Sequence, residues 1–555
     1  MRLSSFRVIT GVSCLFFGAA AWHLGPHSAS DFAVQAQTVK PAATQQAAPK
    51  PQFQPITAKV SNEKPASIAE PTLLAAPGTE IYTAKRGEAI PTVAHHYLGR
   101  TSYLTSSELS DAIRALNHKS DSSNILKANE QIAIPGILSA PIAEHTIPVP
   151  KDFEVRAIYL TGIMAASDHG IRIIKHWREV GGNSVVFDIK DSDGSVNIPY
   201  EHPLLGEHKV YIHDVPKFVH FLHSQNMHAI ARIAMFRDEH LVVTHPELAV
   251  QSRKNHTAWR ENGKLVWTDP SNPKVQDYDI ALAKHVAQLG VDEIQFDYVR
   301  FPAEGDQKDA QFVFQGETTP AADASSDNGS CGDGRLVRPA KAKRGGTVPA
   351  DAKTASSETK ACQANHGPQR SEVITGFLKK AYAELHPTGV LLSLDVFGVM
   401  AWQRQADLSH TGQDIVGMAH YCDVLSPMIY PSHFFGMDGI EHPGDEPAHF
   451  IGESMDRFEL ITKGSGVVIR PWLQAFHWRT KTYSPEYIKI QVETARAKGG
   501  IGFLFWNAAN DYSKPYEAMP EMKAVDQKEA KDKPKYFRGD EMTTNAVRAA
   551  LTPAN

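Results

Sequence analysis

The chain predicts an α/β fold, a (β/α)8 barrel behind a small βααβ module. Three observations carry that prediction. Eight apolar, strand-like runs alternate with amphipathic stretches of helical length over ~350 residues. Gly or Asn follows several of the helical stretches, the residue types that end a helix. The first run is not followed by the Gly-rich phosphate loop that an open doubly wound sheet usually carries.

The runs are Val155–Leu160, Ser184–Ile189, Ala229–Met235, Glu293–Asp297, Val390–Asp395, Asp423–Tyr430, Val467–Gln474 and Gly502–Trp506. Helices are expected over Gly170–Val180, Val215–Gln225, Val275–Leu289, Glu372–Leu385 and Pro485–Lys498, with Gly181, Asn226, Gly290 and Gly499 as stop signals. The barrel domain so defined occupies 150–525. Residues 303–370 interrupt it with a segment dense in Ala, Ser, Gly, Asp and Lys, read as a mobile insertion after strand four. A polar tail follows from 526 to 555.

The amino-terminal part is organised differently. Arg2 and Arg7 precede an apolar stretch from Val8 to Trp22, the pattern of an export signal over residues 1–36 with cleavage after Ala36. An uncleaved anchor is the alternative, although the stretch is short beside the ~20 apolar residues of a spanning helix. Either reading puts the bulk of the chain in the periplasm or outside the cell. Residues 37–78, rich in Ala, Pro, Gln and Lys, read as a flexible linker.

A compact module over 80–136 has the order strand, helix, helix, strand. Its residues Tyr82, Gly87, Ala94, Tyr97, Leu109, Asn117, Ile125, Gln131, Ile134 and Pro135 make it resemble a LysM domain. Ala89-Ile90 departs from the usual Thr-Leu of that family. The resemblance implies binding of N-acetylglucosamine-containing glycans; a spacer that has lost binding is the plain alternative.

Composition narrows the function. The 555 residues are 42 % hydrophobic and 9 % aromatic, enough for a large core. A net charge of −5 gives no reason to propose nucleic acid as a partner. The 26 His are scattered, no HExxH occurs, and no Cys pair has zinc-ligand spacing. No metal and no cofactor are therefore expected. Of the four Cys, Cys331 and Cys362 both lie in the insertion, where a disulfide and two unpaired thiols are both open readings.

Chemistry collects at the strand ends, where a (β/α)8 barrel builds its active site. Strand two ends at Asp188 and Lys190, strand three at Met235–Asp238, strand four at Asp297–Pro302. Strand five ends at Asp395, strand six at Tyr430, strand seven at Gln474 with His477, and strand eight at Trp506 and Asn507. Glycoside cleavage needs two carboxyl groups across the scissile bond. Asp297 and Asp395 end neighbouring strands and are the candidate catalytic pair.

Around them Asp188, Arg300, Tyr430, Gln474, Trp506 and Asn507 are candidate substrate-binding residues. Arg300 can hold a carboxylate ionised, or form a structural salt bridge at the rim. Asp188 can bind a sugar hydroxyl, or pair with Lys190. Tyr430 can stabilise charge, or simply pack at the mouth. Trp402, Trp472, Trp478 and Trp506 offer flat faces for sugar rings, although each alone is more often a core residue.

The runs Trp267–Pro273 and Asp292–Pro302, with Ser393–Gly398, Leu425–Pro431 and Gln474–Phe476, resemble a bacterial family of inferred glycosyl hydrolases long listed as a domain of unknown function. The resemblance spans about Val155 to Tyr512. It implies a barrel related to amylase- and chitinase-type enzymes, with Asp297 in the place of an amylase-like nucleophile. Where such enzymes carry a Glu after strand five, this chain carries Asp395.

The resulting expectation is an exported glycoside hydrolase acting on a cell-envelope or extracellular polysaccharide. A non-catalytic glycan-binding or scaffold protein on a degenerate barrel is the alternative. A metal-dependent deacetylase would need an Asp/His/His set that the strand ends do not supply.

Overall fold

A computed structural model describes residues 76–120, 124–316 and 369–532. Eight parallel strands close on themselves. In chain order they are Val155–Leu160, Ser184–Lys190, His228–Ala234, Glu293–Asp297, Leu391–Phe397, Val424–Ile429, a split seventh strand, and Gly502–Trp506. Strand eight pairs with strand one, and every pairing in the ring is parallel. The predicted barrel is the observed one. Strand seven alone departs from a single run: it is two pieces, Val468–Ile469 and Trp472–Gln474, because Pro471 has no N–H to give to the ladder.

The helices lie where the pattern puts them, at Asp168–Glu179, Val215–Ser224, Pro273–Ala287, Arg370–Leu385 and Pro485–Ala497, with a further one at Pro447–Ile461. Polar side chains cap their first turns. Ser167 accepts from the Gly170 amide at 3.0 Å, and Asp214 from the Lys217 amide at 2.9 Å. At the far ends Gly181, Asn226, Gly290 and Gly499 take φ of 112°, 52°, 88° and 87°, the left-handed turn in which a side chain is costly.

Two cores result. The outer one lies between strands and helices and takes the outward residues of each strand, such as Ile294 and Phe296. The inner one fills the barrel. Val155, Ala157, Tyr159, Val186, Ile230, Trp472 and Leu504 make one side of it apolar. Strand four supplies the opposite character: its alternate residues Glu293, Gln295 and Asp297 are all buried and polar.

At the floor of the barrel Arg470 donates to both oxygens of Glu293, at 2.9 and 2.8 Å, and the His228 ring lies 3.1 Å from it. Burial alone would push the Glu293 carboxyl up, but Arg470 and His228 outweigh it and bring it down to about 2.

The floor is closed by the segment that enters the barrel. The Thr146 hydroxyl donates to the Val291 carbonyl at 2.8 Å, and the Ile147 amide to Asp292 at 2.8 Å. Phe153, 2 % exposed, lies 5.5 Å from the His228 ring. Glu144 pairs with His220 and His223 at 2.7 and 3.2 Å.

The amino-terminal module pairs Thr79–Thr83 antiparallel with Gln131–Pro135 and packs Ile90–Tyr97 and Ser106–Leu116 against them. Asn117 explains its own presence: its amide both donates to and accepts from the Ala133 backbone, each at 2.8 Å, tying the second helix to the closing strand. The Lys217 ammonium reaches the Leu98 carbonyl at 2.9 Å, so the module touches the barrel.

Two boundaries move. The insertion read as 303–370 begins in order, since Ala310–Gln311 pair with Gln251–Ser252 and Phe312 is 1 % exposed. Its centre, with Cys331 and Cys362, lies outside the described residues, as do the signal segment and most of the linker. The tail placed at 526 is helical up to Asp532, in the helix that starts at Ser513. No helix among the described residues is long and apolar enough to cross a membrane.

Arg470→Met would leave Glu293 buried without its main cation. The expected loss is about 3–5 kcal/mol in urea unfolding, largely recovered when Glu293→Met is added. Because the Glu293 carboxyl is depressed, its contribution is present above the ordinary 4.5 and lost as pH falls through about 2.

Candidate active site

The sheet register brings the two carboxylates together. Leu394 pairs with Phe296, so the next pair along is Asp395 beside Asp297, on strands ~4.8 Å apart. Asp297 ends its strand, whereas strand five runs two residues past Asp395 to Phe397; Asp297 is 6 % and Asp395 1 % exposed.

Asp297 is held on both oxygens. Arg232 of strand three donates to Oδ2 at 2.6 Å, and the Tyr298 amide to Oδ1 at 2.6 Å. Tyr298 takes φ of 55°, a left-handed conformation that is uncommon outside Gly and turns the chain sharply after the strand. Backbone strain next to a buried carboxylate fits a site under functional constraint.

Asp395 is held on one side only. The Trp472 indole donates to Oδ1 at 2.7 Å. Oδ2 has no hydrogen-bond partner among the described residues. Burial, and next the Asp297 charge, push the Asp395 carboxyl well above the usual carboxylate range, against Arg232 and Trp472.

A second carboxylate shares Arg232. The guanidinium donates Nη1 to Asp188 Oδ1 at 2.5 Å while Nη2 serves Asp297. The Tyr159 hydroxyl donates to the other Asp188 oxygen. Burial outweighs these donors and raises the Asp188 carboxyl to about 7. Tyr159 in turn stacks under Trp506, with ring centroids 4.1 Å apart and 24° between planes. The Arg232 guanidinium lies 5.6 Å from the Tyr159 ring centre and 5.3 Å from that of Trp506.

The other anticipated residues fall into distinct places. Lys190 does not pair with Asp188. It is buried on the helix side between Asp238 at 2.8 Å and Asp279 at 2.9 Å. Arg300 does not bond Asp297; Arg232 does. The Arg300 guanidinium sits 4.5 Å from the Trp267 ring centre and 4.4 Å from that of Phe397, and donates to the Phe301 carbonyl at 3.0 Å.

Gln474 and Asn507 serve the backbone. Gln474 accepts from the Ser432 amide at 3.2 Å and donates to the Phe476 carbonyl at 3.0 Å. Asn507 donates to the carbonyls of Ala475 and Asp511, at 2.6 and 2.9 Å. Both side chains tie together backbone groups of the loops around strands seven and eight. Tyr430 is 3 % exposed and packs at the mouth against His433 and Phe476, 5.5 and 5.6 Å between ring centres.

Of the four tryptophans, Trp472 is 1 % exposed and acts as a hydrogen-bond donor, so it is no platform for a sugar. Trp402 packs under Arg457, and Trp478 beside His433. Trp506 is half-buried at the mouth with one face taken by Tyr159. Among the described residues no cluster of three or more His, Cys, Asp or Glu side chains is placed to hold a metal ion.

Arg232 and Tyr159 were not legible as site residues in their strands, and Trp472 stood out as a flat face, not as a donor to Asp395. The one available cue was an arginine inside Ala229–Met235, an otherwise apolar run, at an inward position.

A closed (β/α)8 barrel with a carboxylate pair at its mouth is one architecture that sugar-cleaving enzymes use. The chain belongs to the family described as "Putative glycosyl hydrolase domain", which matches residues 157–512; by family it is classed with the glycoside hydrolases. Among solved structures it is similar to a hypothetical protein from Ruminiclostridium thermocellum, with 30 % identity, 43 % of this chain and 97 % of that one covered, and a TM-score of 0.31. It is also similar to the glycoside hydrolase domain of PgaB (BpsB) from Bordetella bronchiseptica, at 11 % identity, 66 % and 99 % coverage and a TM-score of 0.42. The spore cortex-lytic enzyme SleL of Bacillus megaterium matches at 10 % identity, with 79 % and 85 % coverage and a TM-score of 0.36. No curated protein matches the chain.

The raised Asp188 carboxyl has a measurable consequence. A carboxyl raised on folding stabilises fully below its ordinary 3.8, and that stability is lost as pH rises through about 7. Melting temperature should therefore fall across that window in the parent protein and fall less steeply in Asp188→Asn, followed by circular dichroism.

Proposed function

We propose that the protein is an exported glycoside hydrolase that cleaves a cell-envelope or extracellular polysaccharide with Asp297 and Asp395. The observation that carries this reading is the asymmetry of the pair. Asp297 is locked by Arg232 and the Tyr298 amide with both oxygens accepting. Asp395 has one oxygen on the Trp472 indole and the other without a partner, in a position where burial favours the protonated form.

Such a pair divides the labour of glycoside cleavage. Asp395 gives its proton to the glycosidic oxygen as the bond to the anomeric carbon breaks and the electron pair leaves on that oxygen. Asp297 attacks the anomeric carbon or balances its developing positive charge. Water then completes the reaction, giving its proton back to Asp395.

The signal-like amino terminus supports export. The LysM-like module supports a glycan-rich destination, where binding raises the local substrate concentration. A non-catalytic glycan binder is the second reading, and the near-complete burial of Asp395 favours it.

Purified protein offered peptidoglycan, chitin, α-glucans and secreted exopolysaccharides should release reducing ends from at least one. Asp395→Asn should lower kcat/KM by about 10²–10⁴ on that substrate, and Asp297→Asn by at least as much. Activity that survives in both variants sinks the carboxylate assignment, and binding without cleavage in the parent protein selects the second reading. With Asp395 as the acid, activity should decline as pH rises through its raised pKa.

A further inference from the structure

The loops after strands three and four set two guanidinium groups against one ring beside the candidate nucleophile. Arg237 donates to the Tyr298 hydroxyl at 3.1 Å and lies 5.3 Å from that ring's centre. Arg300 lies 5.6 Å from the centre of the same ring. Tyr298 follows Asp297 directly, and its left-handed backbone places the ring at the mouth.

Neither cation forms an ion pair among the described residues. Arg237 is half-buried, and Tyr298 is its hydrogen-bond partner. Arg300 is 4 % exposed, and the Phe301 carbonyl is its hydrogen-bond acceptor. Among the neighbouring negative charges Glu261 acts most strongly on Arg300. Its oxygens already take the Trp267 indole and the amides of Ala303 and Glu304. Burial, and the charge of Arg237 among its neighbours, lower the Arg300 pKa.

Glu261 and Asp297 offset the Arg300 charge without an ion pair to it, so a direct counter-ion at the two guanidinium groups is favourable. Asp297 is within electrostatic reach of Arg300, but its oxygens are committed to Arg232 and the Tyr298 amide. A group on the ligand can supply that direct contact. A guanidinium fork suits a planar carboxylate, and a stacked guanidinium is held ready for it.

We propose that Arg237 and Arg300 form a subsite for a carboxylate-bearing sugar, so that the glycan cleaved is acidic. This rests on the hydrolase reading above and names its substrate class.

The test compares cleavage of uronic-acid polysaccharides, sulfated polysaccharides and neutral glucans by the full chain. The parent protein should prefer the carboxylated series. Arg237→Gln should lower the ratio of kcat/KM, carboxylated over neutral, by about tenfold or more, mainly through KM, and Arg237→Lys should restore part of it. Thermal melts of each variant exclude unfolding as the cause.

Equal or better use of neutral glycans, or a ratio unmoved by Arg237→Gln, overturns the subsite while leaving hydrolysis intact. A preference for sulfated chains overturns the carboxylate and keeps the cationic mouth. Calorimetric binding of oligouronates to Asp395→Asn separates the two readings. If nothing is cleaved but oligouronates bind and Arg237→Gln weakens them, the subsite stands and the hydrolase reading falls. If they bind no better than neutral oligosaccharides, the subsite is gone.

Discussion

One guanidinium organises the mouth of this barrel. Arg232 joins the carboxylates of strands two and four across strand three, and it is itself covered by Tyr159 and Trp506. A buried ion pair of this kind is weak evidence for stability, since desolvation offsets much of the attraction. Its stronger effect is geometric. With Arg232 in place, Asp297 cannot turn away from strand five, and Asp395 meets a fixed negative neighbour. The contrast between the two carboxyl groups follows from that arrangement together with their unequal hydrogen bonding.

Strand four shows how such a site coexists with a stable fold. Its outward residues, Ile294 and Phe296, belong to the large apolar layer under the helices. Its inward residues, Glu293, Gln295 and Asp297, climb the inside of the barrel from floor to mouth. The floor is neutralised internally by Arg470 and His228, whereas at the mouth one cation, Arg232, is shared between Asp188 and Asp297. The apolar side of the interior, from strands one, two, three, seven and eight, keeps the remaining space closed.

Much of this was legible in the sequence, and the reasons differ by residue. Strand positions were readable because eight apolar runs alternate with amphipathic stretches and most have polar residues at or just past their ends, a pattern set by the barrel's two cores. The adjacency of Asp297 and Asp395 followed from chain order, because neighbouring runs in a barrel are neighbours in space. Partners were not readable. Arg300 stood three residues from Asp297 and looked like its cation, but the sharp turn at Tyr298 carries it away to Trp267 and Phe397. Arg232, sixty-five residues earlier in the chain, reaches Asp297 because strands three and four are paired. Lys190 faces the helices because the register shifts between Asp188 and Lys190. Gln474 and Asn507 sat at strand ends as expected of ligand-binding residues, yet their amides answer nearby backbone groups that no linear pattern displays.

The segment entering the barrel matters to anyone who would divide the protein. Thr146, Ile147 and Phe153 are not part of the matched family region, which begins at residue 157, yet they complete its underside. The join between the two modules is therefore a shared component and not a tether. A barrel cut out at the family boundary would expose the hydrophobic underside and strip Asp292 of a backbone donor. Modular exchange in this architecture has its natural seam further upstream, just past Leu138, whose amide still donates to the Arg100 carbonyl of the small module.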